Sequence, residues 1–153
     1  MKNHLKIAMI GHKRIPSREG GIEIVVEELS TRMVKLGHEV TCYNRKGHHV
    51  SGSEFDNENV SEYKGVKLEK VWTIDKKGLA AITSSLSAAI KAALGKYDIV
   101  HFHAEGPCAM LWIPKLFGKR CIATIHGIDW QRAKWNRFAS MYIKLGEKVA
   151  AKY

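Results

Sequence analysis

The chain has 153 residues, 45% of them hydrophobic, and a formal net charge of +10. That is enough for one ordinary globular domain with a core, and no apolar run approaches the length of a membrane span. The excess of lysine and arginine points to an anionic partner: a nucleic acid, a nucleotide or an anionic membrane surface. The N-terminus lacks the pattern of a secretory signal. Cys42, Cys108 and Cys121 are odd in number and each sits in an apolar run. They read as small buried hydrophobes in a reducing, cytoplasmic compartment rather than as a disulfide framework or a metal site.

Leu5–Ile10 is a short apolar run that predicts a buried strand. Ile22, Val25, Val26, Leu29, Met33 and Leu36 recur at the helical period, and Gly37 is placed to cap that helix. Between them lies a strand-to-helix loop with Gly20 and Gly21 at the helix mouth. Two glycines there leave backbone N–H groups uncovered by any Cβ, and the helix end adds partial positive charge. This is the chemistry of a phosphate cradle, to which Arg14 and Arg18 add charge-assisted contacts. The competing reading is a tight turn. The spacing is not G-x-G-x-x-G, and the second strand, His38–Tyr43, runs into Asn44-Arg45-Lys46 rather than an acidic ribose ligand. Both features count against a dinucleotide site. A rival, against which the altered glycine spacing also argues, is an NADP-binding oxidoreductase domain using Arg45 or Lys46 on the 2′-phosphate.

Residues 44–63 read as a long polar loop. His48 and His49 lie in it without a partner cluster, which favours a solvated loop over a metal site. Val66–Trp72 alternates as a half-buried strand. Leu79, Ile82, Leu86, Ile90 and Ala93 make one helical stripe, ended by Gly95. Ile99–His103 is a strand, Pro107–Phe117 a short helix despite Pro114, and Arg120–His126 another strand. A long helix runs from Gln131 to the end. Trp135, Phe138, Tyr142, Leu145 and Val149 form its apolar face, beside a basic stripe of Lys134, Arg137, Lys144, Lys148 and Lys152.

The order β-α-β-β-α-β-α-β-α predicts an α/β domain with a mostly parallel sheet and helices on both faces. Ligands of such sheets sit at the carboxyl ends of the strands. Three groups arrive there: the Gly20–Gly21 loop, His101 to Glu105, and Thr124 to Trp130. His101 and His103 share one strand face. His101 is assigned to the core; His103 and His126, later in their strands, are placed to hydrogen-bond a sugar hydroxyl or a phosphate. Glu105 and Asp129 are candidates for acid–base work, with surface or capping roles as the alternative for each. Trp130 is placed to stack on a sugar. No metal ligand set is expected.

Taken in order, these pieces resemble the N-terminal half of a GT-B glycosyltransferase of glycosyltransferase family 4. The matching stretches are Gly20-Gly-Ile-Glu23 with Leu29, Gly37-His-Glu-Val40, Asp98-Ile-Val-His-Phe-His103 and Thr124-Ile-His-Gly-Ile-Asp129. The run from Asp129 to Trp135 is similar to the rhamnosyltransferase-like subset. The resemblance implies two Rossmann-like domains closing on a nucleotide-sugar, with retention of configuration, no metal and no cofactor beyond the substrate. It implies Gly20 and Gly21 on the donor diphosphate and His126 on the donor sugar or its phosphate; to these we add Arg18 on the diphosphate, Asp129 with His126 in catalysis, and Arg14, His103, Glu105 and Trp130 on the acceptor side. Residues 1–153 then read as an incomplete acceptor-side domain without its donor-binding domain, inactive alone. The sheet order expected is 3-2-1-4-5, with a bare fifth strand that favours self-association. Expected partners are a nucleotide-sugar, a saccharide or lipid-linked acceptor and an anionic membrane at the inner face of the plasma membrane. A basic module for nucleic acid or membrane is the remaining rival, with nucleic acid the less favoured partner.

Overall fold

The strand Lys6–Ile10 (β1) lies at the centre of the sheet, and all but its first residue are buried, as an unbroken apolar run requires. The structure is a computed structural model that describes residues 4–47, 60–76, 78–127 and 137–153. The further strands are β2 (Glu39–Arg45), β3 (Glu62–Tyr63), β4 (Val66–Val71), β5 (Ile99–His103) and β6 (Arg120–Thr124). They form one sheet in the order β3-β4-β2-β1-β5-β6. Every pairing is parallel except the β3–β4 hairpin. The five predicted strands therefore take the expected order, with β6 at an edge. The hairpin is the addition. Lys64 and Gly65 both carry positive φ, 48° and 80°, the twist that joins two strands through two residues. Its signal, a Lys-Gly dipeptide at the end of a polar stretch, is too weak to have interrupted the loop expected over 44–63.

Helix α1 (Gly21–Lys35) covers one face of the sheet. It ends as expected at Gly37, whose φ is +90°. The His38 N–H reaches the Met33 carbonyl and the Gly37 N–H the Val34 carbonyl, a Schellman closure. Its buried side is rotated toward Val26 and Ser30, leaving Val25 and Leu36 exposed. The Ser30 hydroxyl lies 3.3 Å from Cys42 Sγ, so a small residue sets the approach to β2.

The other face carries helices α2 (Leu79–Leu94), α3 (Glu105–Cys108), α4 (Trp112–Leu116) and α5 (Arg137–Lys152). Three expectations change here. Of the expected stripe, Leu79, Leu86 and Ile90 face outward while Ala93 is buried; beside Ala93, α2 buries Ser84, Ser85, Ala88, Ala89 and Ala92. Small side chains let the helix axis settle close to the sheet, where Phe102 and Tyr43 already fill the volume. The single helix expected over 107–117 is two short ones, because the turn between them tightens to i→i−3 bonds. Pro114 sits within the first turn of α4, where its missing N–H is tolerated. Finally, the predicted apolar face of α5 is split: Phe138 and Leu145 are exposed, Tyr142 and Val149 are half-buried with Val149 packed on the core, and the buried positions are Ile143 and Gly146. Gly146 explains the rotation. A Cβ there would stand 1.8 Å from the Glu105 carbonyl oxygen, so α5 docks backbone to backbone on α3. Residues 131–136, including Lys134 and Trp135, lie outside the described part. Among the described residues no helix is long and apolar enough to cross a membrane.

Candidate functional site

The carboxyl end of β1 leads into Gly11, and that glycine decides how close the first loop comes to β5. Its φ is +116°, and a Cβ would meet the His103 carbonyl oxygen at 2.1 Å. The loop then passes beneath the end of β2. There Asn44 acts as a substitute strand: its Oδ1 accepts from the Ile15 N–H at 3.1 Å and its Nδ2 donates to the Ile15 carbonyl at 3.0 Å. The same Oδ1 accepts from His12 Nε2 at 3.0 Å. The loop is also joined to β2 by the Arg45 N–H, which donates to the Lys13 carbonyl. Asn44, which breaks the dinucleotide pattern, is therefore engaged in shaping the loop. Asn44→Ala orphans three buried partners at once. It is expected to cost about 3 kcal/mol, read as a lower urea midpoint at unchanged slope.

At the mouth of α1, Gly20 is the N-cap, in extended backbone. A Cβ on Gly20 would strike Glu23 Oε2 at 2.0 Å, and Glu23 Oε1 accepts the Lys13 N–H at 2.9 Å. Glu23 thus holds the loop against the third residue of the helix, a role that an acidic residue at that position signals. Gly21 differs: a Cβ there would meet nothing within 4 Å. The helix mouth is open on that side. Arg18 is turned to the flank of α1, with Nη2 3.5 Å from Glu27 Oε1 and 3.9 Å from Glu28. Arg14 is buried in the loop.

Behind the loop stands a column of imidazoles. His101 and His103, alternate residues of β5, have ring centroids 4.2 Å apart. His103 stacks at 5.4 Å on His126, and His103 Nδ1 lies 3.2 Å from His126 Nε2. His101 Nε2 is 2.7 Å from Thr124 Oγ1. His126 is exposed at the rim, whereas His12 and His103 are buried. Burial is the first cause that pushes His12 and His101 down to about 4 and His103 to about 2; neighbouring imidazoles push His103 further. All three are neutral at pH 7. His12 Nδ1 and His103 Nε2 are buried and make no hydrogen bond among the described residues.

Of the predicted positions, Gly20, Gly21, His103 and His126 gather at this sheet edge. Glu105 is buried as the first residue of α3, directly after β5. Asp129 and Trp130 lie outside the described residues, as do His48 and His49. His12, Asn44 and Glu23 form part of the same constellation without having been singled out by their pattern. Among the described residues, no three His, Cys, Asp or Glu side chains are disposed to hold a metal ion.

No curated protein matches the chain. The family model described as Glycosyltransferase Family 4 matches residues 19–152, from the mouth of α1 through α5. With a Rossmann-like sheet, an open helix mouth at its carboxyl edge and a match over most of its length, the chain belongs to Glycosyltransferase Family 4, a family of sugar transferases that act between a nucleotide-sugar and an acceptor.

Proposed function

We propose that this chain is the acceptor-side, GT-B-type domain of a retaining, metal-independent glycosyltransferase. The donor diphosphate rests on the N–H groups at the mouth of α1, with Gly20 and Gly21 admitting its close approach and Arg18 swinging in from the flank. His126, at the rim of the imidazole column, contacts the donor sugar or its phosphate, and Asp129 acts beside it. Arg14, His103, Glu105 and Trp130 shape the acceptor side; for His103 and Glu105, both buried, this means supporting the rim from behind. A saccharide or lipid-linked acceptor, as in the rhamnosyltransferase-like subset, suits a basic protein working on the inner face of a membrane. The β6 edge, which pairs with no further strand among the described residues and near which Ile122 and Ile125 are exposed, is the proposed contact for self-association.

The observation that carries this reading is the empty space at Gly21. It also makes a clean test. The Cβ of Gly21→Val meets nothing within 4 Å among the described residues, and valine is the better helix former, so the fold is expected to persist. The branched side chain instead enters the space reserved for the diphosphate. Titration with nucleotide-sugars, followed by NMR, is expected to show millimolar-range binding, about −4 kcal/mol, to the wild-type chain. The variant should lose at least about tenfold, or roughly 1.4 kcal/mol. Equal affinity in both proteins would remove the diphosphate from the α1 mouth.

A further inference from the structure

Helices α4 and α5 both carry large apolar side chains that face outward. On α5, Phe138, Met141 and Leu145 follow one another at the helical period and are 63%, 65% and 51% exposed. The same stripe continues into Lys148 and Lys152. Across from it on α4, Trp112 and Leu116, one turn apart, are 44% and 75% exposed. Between the two helices lies an open cleft of about 410 Å³, lined by Ala109, Trp112, Leu145, Lys148, Val149 and Lys152, with Tyr153 at its end. The Lys115 ammonium donates to the Tyr153 carbonyl at 3.2 Å and ties the helix ends together.

The charge around this cleft is predominantly positive. From Gly106 to Gly127 the sequence holds Lys115, Lys119 and Arg120 and no acidic residue; α5 carries Glu147 against Arg137, Lys144, Lys148 and Lys152. An apolar strip with an indole at its border and lysines at its end matches the boundary between acyl chains and phosphate headgroups. A second copy of the chain would bring a second lysine border against the first, at a net charge of +10 each. A nucleic acid would meet the lysines but leave Leu116, Met141 and Leu145 against phosphate and water.

We propose that the α4–α5 face is the membrane-docking surface of this protein, seating Trp112, Leu116 and Leu145 at the acyl boundary of an anionic phospholipid bilayer while Lys148 and Lys152 engage lipid phosphates. The inference rests on the membrane-facing part of the functional reading above and names the surface that performs it. The Gly21 titration uses soluble ligand, so either result stands without the other.

The experiment is co-sedimentation of the chain with vesicles of phosphatidylcholine alone and of phosphatidylcholine mixed with phosphatidylglycerol. Binding is expected to the mixed vesicles and to weaken with salt, since exposed charges are screened over about 8 Å at physiological ionic strength. Near an anionic surface each lysine contributes on the order of 1 kcal/mol. Lys148→Glu with Lys152→Glu is therefore expected to weaken binding at least about tenfold. Trp112→Ser with Leu116→Ser should do the same while leaving the salt dependence intact. Circular dichroism and thermal unfolding establish that each variant is folded. Lys35→Glu, on α1 across the sheet, is the control and should bind like the wild type. Equal binding to both vesicle types overturns the proposal, and so does an equal loss from Lys35→Glu, which would reduce the effect to total charge. A DNA duplex that binds more tightly than the vesicles and ignores Trp112→Ser would make this face a nucleic-acid surface instead.

Discussion

Gly11→Val is expected to be the most damaging single substitution in the chain, lowering stability by at least about 4 kcal/mol. Two faults coincide. The backbone there has φ +116°, which a branched residue adopts only under strain. Its Cβ would also stand 2.1 Å from the His103 carbonyl oxygen and 3.0 Å from the carbonyl carbon. Neither neighbour can yield cheaply, because both lie on the central strand pair whose register sets Ile10 opposite Phe102. Gly11→Ala suffers the same two faults without the branching and should lose about 3 kcal/mol. Urea unfolding of both variants measures this; an alanine variant with the wild-type midpoint would show that the loop can move away from β5.

The second large effect is a loss of stability on mild acidification. His12, His101 and His103 are neutral in the native chain because burial disfavours their charged forms. In the unfolded chain each regains an ordinary histidine value near 6.5. Below that pH the unfolded state binds more protons than the folded one, so stability falls as pH falls. The contribution is full above pH 6.5 and is withdrawn as pH drops toward the native values of about 4, 4 and 2. Each such group contributes up to about 1.4 kcal/mol per pH unit in that window. Arg45 disfavours a charge on His12 while Glu23 favours it. His4 acts in the opposite sense: Glu39 and the Gly37 carbonyl push its value up, so its small, exposed contribution is present in acid and lost as pH rises. Unfolding midpoints measured from pH 8 down to pH 5 should therefore drop steeply below pH 6.5. His101→Gln should flatten the slope by about one proton. A flat profile would mean that the column is open to water.

Strand order was legible because buried parallel strands write themselves as short apolar runs, as at Leu5–Ile10 and Ile99–His103. The helix faces were less so. In α2 the seat on the sheet is made by alanine and serine, and α5 meets α3 at Gly146, residues that carry little hydropathy but allow the closest approach. The large apolar residues then fall on the far side, and a reading by periodicity weighs them most. The gathering of Gly20, Gly21, His103 and His126 at one sheet edge was legible because a loop motif and strand ends mark them locally. Asn44 and His12 were not. Their partnership joins residues 32 apart through side-chain and backbone bonds that no local pattern encodes.

The central position of β1 has a consequence for synthesis. One side of β1 pairs with β2, complete by residue 45; the other waits for β5, which begins at residue 99. At about 5–20 residues per second, the ribosome takes several seconds to make that intervening stretch. During that time the most apolar strand of the sheet has one row of N–H and C=O groups unpaired. Until β5 arrives, the nascent chain offers an adhesive edge flanked by Met9 and Ile10. The vulnerable period of this protein is thus expected before folding rather than after it. Substitutions that leave the finished fold untouched, but slow translation between β2 and β5, should lower soluble yield.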